Sequence, residues 1–119
     1  MTSLRKNREF DRVYKRGQFF AGRIIVVHCL QNNLSWNRIG ISVNKKAGKS
    51  VKRSRIKRLI KENYRLMEKE LVSGYDIVIV YRSKSATDGV IPTYGSFGKE
   101  MRYLFRKLKL FTQKNGVGL

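Results

Sequence analysis

Along this chain the spacing of apolar residues switches between a helical and a strand period, and the switches divide it into elements. In NREFDRVYKRG, residues 7–17, Phe10, Val13 and Tyr14 recur at i, i+3 and i+4, which predicts one face of a short helix. Asn7 is placed to cap it and Gly17 to end it. Lys15 and Arg16 fall in the last turn, where the helix dipole favours cations. QFFAGRIIVVHCL then reads as a short strand at Gln18–Phe20 and a longer, β-branched one at Arg23–Leu30. After the turn-rich QNNLSWN, the segment RIGISV at 38–43 alternates Ile39, Ile41 and Val43 with Gly40 and Ser42, the pattern of a half-buried strand.

Gly48 supplies a turn and Ser50 a cap for a second, longer helix. At about 100° per residue, Ile56, Leu59, Ile60, Tyr64, Leu66, Met67 and Leu71 fall within one arc of about 160°. Arg55, Lys57, Arg58, Lys61 and Arg65 fall on the opposite side, while Asn63 shares the apolar one. The pair Ser73–Gly74 ends this stretch, and YDIVIVYR at 75–82 reads as a central strand. SKSATDGVIPT at 83–93 is a loop. Thr93 then caps a last helix on which Phe97, Met101, Leu104, Phe105 and Leu108 recur, with Gly95 and Gly98 weakening its start. The order αβββαβα predicts one α+β domain over residues 1–119, helices packed on a four-stranded sheet. Its compact core is expected at about residues 4–110, with 111–119 as a flexible tail.

Charge changes this picture from a small α+β domain to a polyanion binder. Lys and Arg number 27 against 8 Asp and Glu, a net charge of +19. From Arg12 to Lys61 there is no acid, and 14 residues are Lys or Arg. Such one-sided charge speaks of partners, nucleic acid or an anionic membrane. The longest apolar-rich run, IIVVHCL at 24–30, is far shorter than the ~20 residues of a spanning helix, and MTSLRKNREF has no secretory apolar stretch. No membrane role and a cytoplasmic location are therefore expected. Cys29 is the only cysteine and lies in an apolar run, so it reads as a core residue, and with His28 alone it makes no protein-only zinc site.

The charge concentrates in KKAGKSVKRSRIKRLIKENYR, residues 45–65, with ten Lys or Arg and one acid, Glu62. Lys45, Lys46, Lys49, Lys52, Arg53 and Arg55 crowd the start of the helix, where the dipole disfavours cations. A phosphate backbone would supply the missing counter-charge and accept hydrogen bonds from the first helical N–H groups. The outward face has no Asn or Gln to read base edges in a major groove, so recognition of structured RNA by shape and phosphate fits better than DNA. Gly48-Lys49-Ser50 imitates the end of a phosphate-binding loop, but the glycine needed five residues earlier is Val43. Phe10, Tyr14 and His28 either pack in the core or stack unpaired bases. One His and few acids leave no catalytic or metal-binding constellation in the protein itself.

At 45–65 the sequence resembles the protein subunit of bacterial ribonuclease P. That family carries a basic helix with an Arg-Asn-Arg core followed by Ile-Lys-Arg-Leu-Ile; here stand Arg53, Ser54 and Arg55, then Ile56, Lys57, Arg58, Leu59 and Ile60. RIGISVNKK, LRKNREFDRVYKRG, DIVIVYR and PTYGSFGKEMRYLFRKL extend the likeness over about residues 4–109. The departure is Ser54, a hydroxyl where the family has an amide with both donor and acceptor. The resemblance implies a sandwich similar to the second domain of a ribosomal small-subunit protein, with a left-handed βαβ crossover against the usual rule. It implies a non-catalytic subunit of an endoribonuclease whose RNA holds the Mg²⁺ ions and removes the 5′ leader of precursor tRNA. By the same resemblance Lys45, Lys46, Lys49, Arg53, Ser54, Arg55, Lys57, Arg58 and Lys61 bind that RNA. Phe10, Tyr14, His28, Arg82 and Lys84 hold the leader, and no obligate protein partner is implied. The competing readings are a ribosomal or ribosome-assembly RNA-binding protein, a protein-only nuclease, and a DNA-binding architectural protein.

Overall fold

The computed structural model describes residues 1–82 and 90–112. A five-stranded mixed sheet runs through its middle. The elements are β1 (Thr2–Ser3), α1 (Asn7–Arg16), β2 (Gln18–Ala21), β3 (Ile25–Gln31), β4 (Arg38–Ser42), α2 (Ser50–Met67), β5 (Tyr75–Tyr81) and α3 (Tyr94–Lys107). Short 3₁₀ segments at Lys45–Ala47 and Glu68–Glu70 flank α2. The strand order is β1-β4-β5-β3-β2. β4 runs parallel to β1 and to β5, and β3 antiparallel to β5 and β2.

Strand alternation divides the side chains between two faces. Ile25, Val27 and Cys29 of β3, Ile39 of β4, and Ile77, Ile79 and Tyr81 of β5 share one core with α2 and α3. Ile56, Ile60, Tyr64 and Met67 come from α2, and Phe97, Met101, Leu104 and Phe105 from α3. On the other face Val78 meets Leu4 and Val13, with Phe10, Leu30 and Val80 packed around them. So α2 and α3 cover one side of the sheet and α1 the other. This two-sided burial is why β5 reads as a near-continuous apolar run.

Two glycines allow close approaches that their neighbours require. A Cβ at Gly40 would lie 2.6 Å from the Phe10 ring, so the bare backbone of β4 lets α1 settle onto the sheet. A Cβ at Gly98 would lie 2.5 Å from Asn63 Oδ1. The Asn63 amide donates to the carbonyls of Leu59 and Tyr94, both at 3.0 Å, and joins α2 to the start of α3. Gly98 thus exchanges helix propensity for helix–helix contact.

The structure amends several expectations. The sheet has five strands rather than four, because Thr2 and Ser3 pair with Arg38 and Ile39. The residue before α1 is Lys6, not Asn7, and the Glu9 carboxylate caps this end by accepting the N–H groups of Arg5 (2.8 Å) and Lys6 (3.0 Å). α2 is preceded by Lys49, with Ser50 its first helical residue. Leu66, at the edge of the apolar arc, is 67% exposed because α3 and the sheet cover only the middle of that arc. Order reaches beyond the expected core: Phe111 bridges Leu71, and the Thr112 N–H donates to Glu70. Thr93 does cap α3, accepting from the Ser96 N–H at 3.0 Å. Lys84 and most of the 83–93 loop lie outside the described residues.

Candidate nucleic-acid interface

The approach to α2 is built by a short chain of local contacts. Asn44 Oδ1 accepts the Lys46 N–H at 2.8 Å and starts the 3₁₀ turn, and buried Ala47 pins that turn to the core. Gly48, at φ 134, then redirects the chain into α2, a conformation that a side chain would strain. Lys45, Lys46 and Lys49 stand exposed around this entry. Arg53 is partly covered, its Nε donating to the Gly48 carbonyl at 3.1 Å, so it also braces the turn. Ser54, Arg55, Lys57, Arg58 and Lys61 are exposed along the helix.

Among the described residues, none of the eight cations Lys45, Lys46, Lys49, Arg53, Arg55, Lys57, Arg58 and Lys61 is paired with an acid. The first turn of α2 holds no acid, and no side chain caps its N–H groups. Side-chain charge, helix dipole and free N–H donors therefore all favour an anion at this end.

On the opposite side of the sheet, aromatic rings collect at the β2 edge. Tyr14 meets His28 edge-on, with centroids 4.9 Å apart, and Phe19 stacks on His28 at 5.4 Å. Tyr14 is 38% exposed and Phe19 60%, so these rings have faces open to solvent. Phe10 is partly buried against Gly40 and Val78, and serves as much to seat α1 as to offer a surface. Burial holds the His28 imidazole below its usual pKa, and burial also raises the Tyr14 phenol, so both are neutral near pH 7. Among the described residues His28 Nδ1 has no hydrogen-bond partner. Arg82 is exposed, and its Nη1 donates to the Gly22 carbonyl at 2.6 Å, which ties it to the β2–β3 turn.

The two surfaces are continuous. A groove of about 370 Å³ is bordered by Phe10 and Tyr14 of α1, by Ile41 and Ser42 of β4, and by Lys57 of α2. A smaller hollow beside it joins Phe10 and Gly40 to Lys57 and Lys61. Among the described residues only Thr2, Ser3 and Leu4 pair along the outer margin of β4, and beyond them α1 rings and α2 cations share one surface. Rings that stack bases next to cations that meet phosphates suit a single-stranded nucleic acid.

The sequence reading passes over Phe19. Its signal is the pair Phe19–Phe20 on a four-residue strand, which cannot place both rings in one core. It also passes over the polar network that fixes α1. Arg38 donates to Asp76 through Nε (2.8 Å) and Nη2 (2.7 Å) and reaches Glu9 at 3.2 Å, while Asn32 donates to Asp76 at 2.9 Å. The N–H donors of Lys6 and Arg5, with Arg38 nearby, hold the Glu9 carboxyl below its usual pKa. Glu100 is likewise engaged, accepting the Ile24 and Ile25 N–H groups at 2.7 and 2.8 Å. Among the described residues no three His, Cys, Asp or Glu side chains come together.

Comparison with known proteins gives the site its context. The family model described as Ribonuclease P matches residues 1–109. A ribonuclease P protein component from Alkaliphilus metalliredigens is 40% identical over 109 residues, 92% of this chain and 95% of the relative. One from Clostridium acetobutylicum is 45% identical over 116 residues, 94% of each. Among solved structures, the Staphylococcus aureus RNase P protein is similar with a TM-score of 0.82 at 31% identity, covering 94% of this chain and 99% of that one. The Thermotoga maritima RNase P protein gives 0.76 at 29% identity, covering 89% and 97%. These matches favour this family over the ribosomal alternative.

Proposed function

The chain belongs to the ribonuclease P protein family, and on that premise we propose how its two surfaces divide the work. The exposed face of α2 and the turn that leads into it, with Lys45, Lys46, Lys49, Arg53, Ser54, Arg55, Lys57, Arg58 and Lys61, bind the catalytic RNA subunit. The groove of Phe10, Tyr14 and His28, with Arg82 and Lys84 as further contacts, holds the 5′ leader of precursor tRNA. The observation that carries this reading is the continuity of unpaired cations and open rings across the β4 margin. An RNA enzyme repels its RNA substrate, and a +19 protein between them lowers that repulsion.

The protein contributes affinity and orientation, and no catalytic group. The RNA subunit holds the Mg²⁺ ions and performs the hydrolysis; Glu9, Asp76 and Glu100 of the protein are engaged in its own fold. The complex works in the cytoplasm without an obligate protein partner, and among the described residues no helix is long and apolar enough to cross a membrane. The left-handed sense of the β4–α2–β5 crossover, and the likeness to a ribosomal small-subunit domain, belong to the same reading.

The test is cleavage of 5′-labelled precursor tRNA at low Mg²⁺, with protein alone, the RNA subunit from the same source alone, both, and neither. Accurate leader removal is expected only with both. Cleavage by protein alone would move the chemistry onto the protein. No gain over RNA alone would reject the subunit assignment.

A further inference from the structure

The sheet face opposite α1 carries a second hollow, and it is larger than the groove on the α1 side. About 730 Å³ lies between the β2–β3 turn and the outer face of α3, bordered by Gly22, Arg23, Ile24, Lys99, Glu100 and Tyr103 among others. Its shape is built in, because the Glu100 carboxylate grips the backbone of Ile24 and Ile25 and a Cβ at Gly22 would meet that carboxylate at 2.3 Å. One Glu100 oxygen is occupied by these two N–H donors, and Arg23 and Lys99, both exposed, are the cations at the rim. Tyr103 is 52% exposed, and Lys107 lies 5.5 Å from its ring centroid. Arg102 and Arg106 extend the positive face along α3.

β2 joins this hollow to the α1 side. It is the edge strand, and its four residues are all exposed. Phe19 pairs with His28 and shares its face, with the ring stacked toward α1. Phe20 pairs with Val27, whose side chain lies in the α2–α3 core, so Phe20 points to the α3 side, where it is 44% exposed. Two adjacent rings thus lie on opposite faces of one bare edge strand. The hollow begins at Ala21, the next residue.

We propose that single-stranded leader RNA leaving the Tyr14–His28–Phe19 cluster passes over the β2 edge and places a distal nucleotide in the hollow beside Tyr103. There Tyr103 stacks a base while Arg23 and Lys99 meet phosphate. Rings with cations select an anionic aromatic ligand, and adjacency across one strand selects the leader as its source. The inference rests on the leader-binding reading above and lengthens that footprint around the molecule.

The experiment measures Kd of the assembled RNA–protein enzyme for precursor tRNAs with a series of leader lengths. Tyr103→Ala, Tyr103→Phe and Tyr14→Ala are compared with the unchanged protein, and circular dichroism checks folding. Loss of one stacked base predicts that Tyr103→Ala binds the long leader about five- to tenfold more weakly. A leader too short to round β2 should bind unchanged, and Tyr103→Phe should retain affinity at every length. An equal effect of Tyr103→Ala at all lengths, or none while Tyr14→Ala still weakens binding, would overturn the wrapped path and leave the α1 groove standing. No effect from either alanine would reject the leader-binding reading itself.

Discussion

Asp76 is 1% exposed beneath α1, and both its oxygens rest on the Arg38 guanidinium. A buried carboxylate that loses its cation costs far more than the pair contributes, because the remaining charge stays desolvated. Arg38→Met is therefore expected to destabilise the fold by about 3 kcal/mol or more in urea unfolding. Arg38→Met combined with Asp76→Leu should recover part of that loss, by removing both charges together. A single-variant cost below about 1 kcal/mol would show the pair to be screened like a surface one. Residues of this kind are the least legible in the sequence. Val13, Ile56 and Phe105 declare themselves by period, a local property. The partners Arg38–Asp76 and Ile24–Glu100 are separated by 38 and 76 positions, and nothing local links them. Ring exposure was equally open: Tyr14 and Phe10 share a helix face, and only packing on Gly40 buries one while the sheet edge exposes the other.

At the scale of elements, α2 is a buttress inward and a charged blade outward. Ile56, Ile60, Tyr64 and Met67 are almost wholly buried, while Arg55 and Arg58 make no ion pair among the described residues. Arg55→Ala with Arg58→Ala should weaken binding to the RNA subunit at least tenfold, by filter binding, and leave Tm nearly unchanged. A large loss of Tm with intact binding would make these residues structural. All three helices and the four longer strands were readable, the helices by period and the strands by alternation or by β-branched and aromatic content. β1 was not: two exposed residues hold no period, and only their pairing with Arg38 and Ile39 makes them a strand. The 3₁₀ turn before α2 escaped for the same reason, being a single turn fixed by Asn44 and Ala47.

Across the whole molecule, positive charge surrounds the sheet: α2 with the groove it shares with α1, and the outer face of α3. If five to eight phosphates are neutralised on assembly, log affinity for the RNA subunit should fall against log salt with a slope of about −4 to −7. A slope near zero would mean that apolar contacts, not phosphates, carry the association. The charge imbalance was visible in composition, whereas the strand order, which decides what the charge surrounds, was not. That order also governs how the protein can be assembled during synthesis. β5 lies between β4 and β3, and these two have no ladder with each other. A nascent chain that has released residues 1–74 can pair β2 with β3 and β1 with β4, but it owns two separate ribbons and no sheet. The strand that unites them arrives after the whole basic helix has emerged. The segment richest in positive charge is therefore exposed before there is a folded body to hold it.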